Sequence, residues 1–282
     1  MNLTVMSGIL YVVATPIGNL ADITRRGAMV LESVAIIAAE DTRRSRVLLA
    51  EIGAGKTKMV ALHDHNESHV GTKIVASLTQ GSDVALISDA GTPLLSDPGF
   101  DLVRRCWEAG IEVIPIPGPS AVLAALCVCP LPAQQFYFEG FLPAKSGLRK
   151  SRLTELLEFP FAVIFFETPH RIESCLSDLS VLAPERRLMI GREMTKRHET
   201  YRSGTPERLL QFLQAEDQLR GEFVCILEAK TTPDSTASDV RRIMQILCKE
   251  LAPAQAARIG AQLSGHNKAE LYSLAVEYSQ DR

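Results

Sequence analysis

Short apolar runs alternating with amphipathic stretches, from Gly8 to about Pro117, constrain this chain more than any other feature. Ile9 to Ala14, Val34 to Ala38, Lys58 to Leu62, Val84 to Ile87 and Glu112 to Ile116 read as buried strands. Between them Asp22 to Ser33, Arg43 to Ile52, Glu67 to Thr79 and Asp97 to Ala109 carry the spacing of helices. Parallel strands can be joined only by crossovers, so the rhythm predicts an α/β fold, a mostly parallel sheet with helices on both faces. Ligands of such sheets sit beyond the carboxyl ends of the strands, which points to the loops after Ala14, Ile87 and Ile116.

The turn-rich segment Pro115-Ile116-Pro117-Gly118-Pro119-Ser120 precedes an Ala/Leu-rich helix and reads as a hinge. A second α/β unit is expected after it. Its strands are Phe136 to Glu139, Ala162 to Phe166, Leu188 to Gly191 and Phe223 to Glu228; its helices are Arg149 to Glu158, His170 to Leu182 and Thr205 to Ala215. Lys230 to Ser238 reads as a polar linker. Beyond it Asp239 to Leu251, Pro253 to Leu263 and Lys268 to Tyr278 read as helices, the last two joined by the turn Ser264-Gly265-His266-Asn267. The expected organisation is an α/β domain over residues 1–117, a second over 118–232 and a helix-turn-helix-like tail over 239–282.

With 282 residues, 46% of them hydrophobic, the chain has apolar material for more than one core. The longest candidate span, Ala121 to Cys129, is about half the roughly 18 to 20 residues a membrane helix needs. Met1 to Ser7 carries no basic stretch ahead of an apolar segment, so a cytoplasmic protein without membrane attachment is expected. The six cysteines form no C-x-x-C pair and no zinc-ligand spacing, which predicts reduced, mostly buried thiols and no metal. A net charge of −3 excludes a broadly basic nucleic-acid binder. Two local basic runs remain, Lys145 to Arg152 and Arg186 to Arg202, and most such runs are solvated faces.

The loop Ala14-Thr15-Pro16-Ile17-Gly18-Asn19-Leu20 follows a strand and leads into a helix, where backbone N–H groups can meet an anionic group. Having one glycine, it lacks the G-x-G-x-x-G of dinucleotide sites, and the chain lacks a P-loop, which argues against oxidoreductase and NTPase functions. The most distinctive stretch is Ser88 to Gly99, with two carboxylates, two prolines and two glycines after a buried strand. Asp89 reads as a ligand contact, whereas Asp97 reads as the N-cap of a helix with Pro98 at its first position. Glu40-Asp41-Thr42-Arg43 occupies a third crevice position, and His63-Asp64-His65-Asn66-Glu67 reads as hydrogen-bonding or turn residues rather than metal ligands.

Taken together, Ala14 to Thr24, Ala39 to Arg43, Leu62 to Glu67, Ser88 to Gly99, Pro117 to Ala121, Glu139 to Lys145, Glu167 to Arg171, Arg192 to Lys196 and Gly221 to Phe223 resemble the bacterial small-subunit rRNA cytidine 2′-O-methyltransferases. These are the ribosomal-RNA branch of the tetrapyrrole methylase superfamily. The resemblance covers nearly the whole chain. It implies two α/β domains with S-adenosyl-L-methionine folded into the cleft between them, a homodimer, and a target ribose in the decoding centre of 16S rRNA in the 30S subunit. The cofactor residues it implies are Pro16, Gly18, Asp89, Ala90, Gly91, Thr92, Pro93, Ser96, Pro117, Gly118, Ser120, Ala121 and Glu139.

Methyl transfer from a sulfonium is an in-line displacement, so the acceptor hydroxyl must be positioned, kept from water and relieved of its proton. Lys145, Glu167, Arg171, Glu193 and Lys196 lie at the ends of second-domain strands and are the catalytic candidates. The alternative for four of them is loop-building pairs, Glu167 with Arg171 and Glu193 with Lys196 or Arg197. Arg43, His63, His65, Asn66, Arg149, Arg197 and Lys268 are the candidate RNA contacts. Two rival readings remain: a small-molecule methyltransferase of the tetrapyrrole type, and a non-catalytic RNA-binding assembly factor on the same fold.

Overall fold

Five short strands, β1 (Leu10–Val13), β2 (Ile36–Ala39), β3 (Lys58–Ala61), β4 (Val84–Ile87) and β5 (Val113–Ile116), pair in parallel in the order β3-β2-β4-β1-β5 in the computed structural model. The structure describes residues 7–216, 218–230 and 237–280. Side chains from alternate strand positions enter two cores, one on each face of the sheet. Leu10, Ala38, Val84 and Leu86 pack against Ile74 and Leu78 of α3 (Glu67–Thr79) and Leu102 and Cys106 of α4 (Phe100–Glu108). On the other face Val13, Ile37, Ala39, Ala85 and Ile87 meet Leu31 of α1 (Arg25–Ser33) and Leu49 of α2 (Thr42–Glu51).

Helix α4 corrects one expectation. It starts at Phe100, with Gly99 at the N-cap and φ of 119°, so Asp97 does not cap it and Pro98 is not its first residue. The reason is long-range: the Glu67 carboxylate of α3 accepts the Leu102 N–H at 3.0 Å, so the helix start has a partner from elsewhere. A Cβ on Gly99 would lie 2.7 Å from Leu86 Cδ2, so glycine is required by both conformation and space.

After α5 (Ala121–Cys127), a second five-stranded sheet runs β6-β7-β10-β8-β9. β6 (Phe136–Phe141) and β7 (Ala162–Glu167) are parallel; β10 (Phe223–Leu227) runs antiparallel to β7 and to β8 (Leu188–Arg192), and β8 antiparallel to β9 (Thr200–Gly204). Helices α6 (Ser146–Leu156), α7 (Ile172–Leu182) and α8 (Pro206–Ala215) bury Leu153, Leu176 and Leu209 against one face. The other face, with Ile164, Met189, Val224 and Ile226, packs on Val122 and Ala125 of α5 and on Ile17 from the β1–α1 loop. Edge strand β9 was not expected, because its five residues Thr-Tyr-Arg-Ser-Gly are polar and end the basic run.

Along β6 the pairing with β7 shifts by one residue between Phe138 and Gly140. Phe138 pairs with Ile164 and Phe141 with Phe166, so the bulge places both rings on the face carrying Ile164 and Phe166. In a regular pairing, with Glu139 opposite Phe165, Phe141 would point the other way.

By contacts the chain divides into residues 1–229, which contain both sheets, and residues 230–282. Of the expected linker, 231–236 lie outside the described residues. The second unit has three helices, α9 (Ala237–Glu250), α10 (Pro253–Ser264) and α11 (Lys268–Gln280), around Met244, Ala256, Ala257, Leu271 and Ala275. Leu263 of α10 is 66% exposed and lies outside that core. Gly265 ends α10 with φ of 72°, and Asn267 Oδ1 accepts the Ala269 N–H at the start of α11. Among the described residues, no helix is long and apolar enough to cross a membrane.

Candidate functional site

Strands β1 and β4 are neighbours, yet the chain leaves them toward opposite edges of the sheet, β1 to β2 and β4 to β5. This is the switch point where open α/β sheets bind ligands. The loops there are laced together. Thr15 and Gly91 exchange backbone hydrogen bonds at 2.9 and 3.0 Å, the Thr15 hydroxyl donates to the Ser88 carbonyl, and the Thr92 hydroxyl donates to the Pro119 carbonyl at 3.1 Å. The first sheet therefore presents one connected surface rather than three independent loops.

Opposite it stand the carboxyl ends of β6, β7 and β8 and the amino end of β10. Together the two sets of loops wall a cavity of about 940 Å³. Apolar lining comes from Ile17, Leu20, Leu95, Phe141, Phe166 and Met194, with Phe141 51% exposed and edge-on to Phe166 at 5.5 Å. All four non-glycine residues with positive φ among those described, Leu94, Ser96, Glu193 and Thr195, belong to two loops of this wall. Such conformations persist only where surrounding contacts hold them and concentrate at functional sites.

The β8–β9 loop reaches across the cavity. A Cβ on Gly18 would lie 2.5 Å from Lys196 Cγ and 2.9 Å from Thr195 Oγ1, so only glycine lets the two halves approach this closely. Lys196 Nζ is held by Glu193 Oε1 at 2.9 Å and Glu222 Oε2 at 2.8 Å, and Glu193 also accepts the Glu222 N–H. Burial alone would lower the Lys196 pKa, but the two carboxylates outweigh it and raise it. Burial likewise opposes ionisation of Glu193, whose pKa is nonetheless lowered by the Glu222 N–H and Lys196. Lys196 is thus a fixed cation.

Glu167 is buried and its pKa is raised by that burial, against the Thr168 N–H and the Arg171 guanidinium at 3.2 Å. Asp89 is bound at both oxygens, accepting the Asp41 N–H at 3.0 Å and pairing with Arg44 at 2.8 Å, while its own N–H meets Glu40. Burial, with the nearby Asp89 charge, raises the pKa of Glu40. Asp97 has the Ser88 hydroxyl as partner; burial and the charges of Glu40 and Asp89 push its pKa up to about 6.

Of the residues singled out in the sequence, Pro16, Gly18, Asp89, Ala90, Gly91, Thr92, Ser96, Ser120 and Ala121 line the cavity, as do Glu167, Glu193 and Lys196. Pro93, Pro117 and Gly118 are not on its wall; a Cβ on Gly118 would lie 3.0 Å from that of Ala14, so this glycine serves loop packing. Glu139, expected at the cofactor, is clamped by Arg152 through two bonds of 2.8 and 2.7 Å. Lys145 is exposed at the start of α6, off the cavity wall. Arg171 is also off the wall, holding Glu167 and the Leu142 carbonyl.

Arg149 is the clearest correction. Expected at an RNA surface, it is 4% exposed and joins α6 to α7 through Asp178 at 2.7 Å. Arg186 and Arg192 likewise bond backbone carbonyls, so much of both basic runs is internal scaffold. Asn66 holds its own turn, accepting from His63 N–H and donating to the Ala61 carbonyl. Arg43 pairs with Asp41 but is 85% exposed at its side chain, and Arg197, His65 and Lys268 are exposed. His63 is half-buried, and its Nδ1 has no partner.

Missed by the sequence reading were the roles of Asp97, Arg44 and Phe141 in the wall. Asp97 and Phe141 stood within quoted motifs, but only tertiary structure turns them inward.

A family profile described as Tetrapyrrole (Corrin/Porphyrin) Methylases matches residues 9–210 of this chain, well over half of it. The chain belongs to the tetrapyrrole methylases. A second profile, described as RsmI C-terminal HTH domain, matches residues 234–278 of this methylase. The "Ribosomal RNA small subunit methyltransferase I" of Haemophilus influenzae is 45% identical over 98% of this methylase and 99% of its own length. The protein of the same name from Neisseria meningitidis serogroup B is 46% identical over 98% and 95%. Among solved structures, the uroporphyrin-III C-methyltransferase of Thermus thermophilus complexed with S-adenosyl homocysteine superposes with a TM-score of 0.54 at 16% identity, covering 78% of this methylase and 97% of that chain.

Proposed function

We propose that this protein transfers a methyl group from S-adenosyl-L-methionine to the ribose 2′-hydroxyl of a cytidine in the decoding centre of 16S rRNA. The observation that carries the reading is a laced switch-point cleft in a chain about half identical, along nearly its whole length, to proteins named as small-subunit rRNA methyltransferases.

The cleft suits this cofactor. Its volume lies in the range of small-molecule sites, and its wall carries six carboxylates against two cations, Arg44 and Lys196. That imbalance favours a ligand with positive charge at its centre. Pro16 to Gly18, Asp89 to Thr92, Ser96, Ser120 and Ala121 would hold it. Bound there, S-adenosyl-L-methionine supplies an electrophilic methyl on a sulfonium. The chain's own part is to exclude water with Ile17, Leu95, Phe141, Phe166 and Met194, and to orient the acceptor hydroxyl. The strapped Lys196 fixes a positive charge on the wall opposite the first sheet, where it favours an oxygen losing its proton. Glu167 and Arg171 hold the end of β7 in place.

An acidic cleft repels phosphate, so the RNA backbone must be met by the rim and the tail. Arg43 and Arg197 supply cations on the rim, and Lys268 supplies one on the tail. His63 and His65 belong to the same proposed surface. A boundary between the α/β domains at residues 117 and 118 is supported by the fact that each sheet takes its strands from one side of it. Cytoplasmic residence and a homodimer belong to the same reading, and sedimentation velocity tests the latter.

The deciding experiment incubates purified protein and labelled cofactor with 30S subunits from a strain lacking the enzyme, then maps 2′-O-methyls in 16S rRNA by mass spectrometry. One new cytidine 2′-O-methyl in the decoding centre is expected. Label entering a corrinoid precursor but not 30S subunits would establish the small-molecule reading, and absence of cofactor binding in calorimetry the non-catalytic one.

A further inference from the structure

Six carboxylates face the cavity: Glu40, Asp89, Asp97, Glu167, Glu193 and Glu222. A group that accepts a proton from substrate needs a free lone pair at neutral pH and no cation already in place to stabilise its charge. Five of the six are engaged otherwise. Asp89 pairs with Arg44, Glu193 and Glu222 share Lys196, and Glu167 is sealed against Arg171. Glu40 accepts the Asp89 N–H, with Arg44 close enough to act on its charge. Asp97 alone has neither a cation nor a backbone N–H among its partners in the described residues; the Ser88 hydroxyl is the one group that stabilises its charge.

Its placement is also built rather than incidental. The loop could have ended in an ordinary cap, but Glu67 caps α4, and Ser96 with φ of 73° and Gly99 with φ of 119° turn Asp97 inward. On the facing side a Cβ on Gly140 would lie 2.9 Å from Ser96 Oγ, so the bulge of β6 presses on this loop and confines it. Phe141, beside that glycine, lines the same cavity and shields it from water.

We propose that the Asp97 carboxylate takes the proton of the acceptor hydroxyl during methyl transfer. This rests on the methyltransferase reading above. The O–H bond breaks and its proton passes to Asp97; the oxygen electron pair forms the new O–C bond, and the S–C bonding pair returns to sulfur. One carboxylate and one sulfonium thus become a carboxylic acid and a neutral thioether, and the charges balance.

Burial and the facing carboxylates Glu40 and Asp89, the latter paired with Arg44, hold the Asp97 pKa near 6. A base of that strength is about nine-tenths ionised at pH 7 yet more basic than an ordinary aspartate. Activity should therefore rise with pH through an acid limb near 6.

The test uses the full-length protein that methylates 30S subunits. Asp97→Asn should reduce the single-turnover rate about a hundredfold or more and leave the cofactor dissociation constant, measured by calorimetry, within about threefold. Asp97→Glu should restore part of the rate with a shifted acid limb. Independently of activity, carboxyl-carbon NMR of the substrate-free protein should show one resonance titrating near 6 that is missing in Asp97→Asn. A rate within threefold of wild type, or a loss of cofactor affinity that matches the loss of rate, overturns the assignment. Should Asp97→Asn fail to fold, a wild-type profile with no acid limb between about pH 5 and 7 overturns it equally. An inactive wild-type protein would instead sink the methyltransferase reading.

Discussion

Arg149 is the sharpest place to test the physical account, because its basic side chain invites an RNA role and the structure buries it. Its guanidinium lies 2.7 and 2.8 Å from one oxygen of Asp178, while Lys150 reaches the other oxygen from 3.4 Å with half its side chain in solvent. Removing one member of a buried pair leaves a charge without compensation, which costs about 3–5 kcal/mol. Because Lys150 partly compensates Asp178, Arg149→Met should fall at the lower end, about 3 kcal/mol, or roughly 6–12 °C in Tm for a unit of this size. Replacing both partners, Arg149→Met with Asp178→Leu, removes the stranded charge and should return to within about 1–2 kcal/mol of wild type. Urea unfolding of the four proteins forms a double-mutant cycle whose coupling should exceed about 2 kcal/mol. The double variant should bind 30S subunits as the wild type does. If Arg149→Met is as stable as wild type, or the stable double variant binds RNA tenfold more weakly, the scaffold role is wrong.

Gly18→Ala should weaken cofactor binding about tenfold with little change in Tm, because its Cβ displaces Thr195 and Lys196 at the cavity and not the core; an unchanged calorimetric affinity would refute the close approach. Gly91→Val should cost more than Gly18→Ala in both affinity and Tm, since it adds a branched side chain at φ of 83° inside the Thr15–Gly91 pairing. Ending the chain after Thr232 should leave a folded, cofactor-binding protein whose RNA affinity falls and whose affinity depends less steeply on salt, as expected if Lys268 and its neighbours contact phosphate. Unchanged 30S kinetics in that truncation would remove the tail from RNA binding.

The sequence was most legible where local signals and tertiary burial agree. Glu67 to Thr79 and Val84 to Ile87 occur in the structure at the expected boundaries, because helical spacing and a four-residue apolar run between turns leave little choice. The switch-point loops were legible for the same reason. Asp97 was not, since an Asp-Pro pair before a helix is a good cap by local rules and only Glu67, thirty residues earlier, takes that role away. Arg149 needed Asp178 from another helix, and β9 needed β8 to recruit five polar residues to a sheet edge.

The bulge in β6 has a consequence for how the pocket can change. A strand alternates its side chains with a fixed parity, and the extra residue at Glu139 inverts that parity partway along, so the two ends of β6 obey different phases. Were Glu139 to pair with Phe165 as in a regular strand, the Phe141 ring would turn out of the pocket to the opposite face of the sheet, whereas deleting Glu139 would straighten the strand and keep Phe141 opposite Phe166. Substitutions elsewhere on the wall alter the site by degrees; a slip in register here alters it all at once, so the pairing that sets the phase of Phe141 is under tighter constraint than the identity of the residues around it.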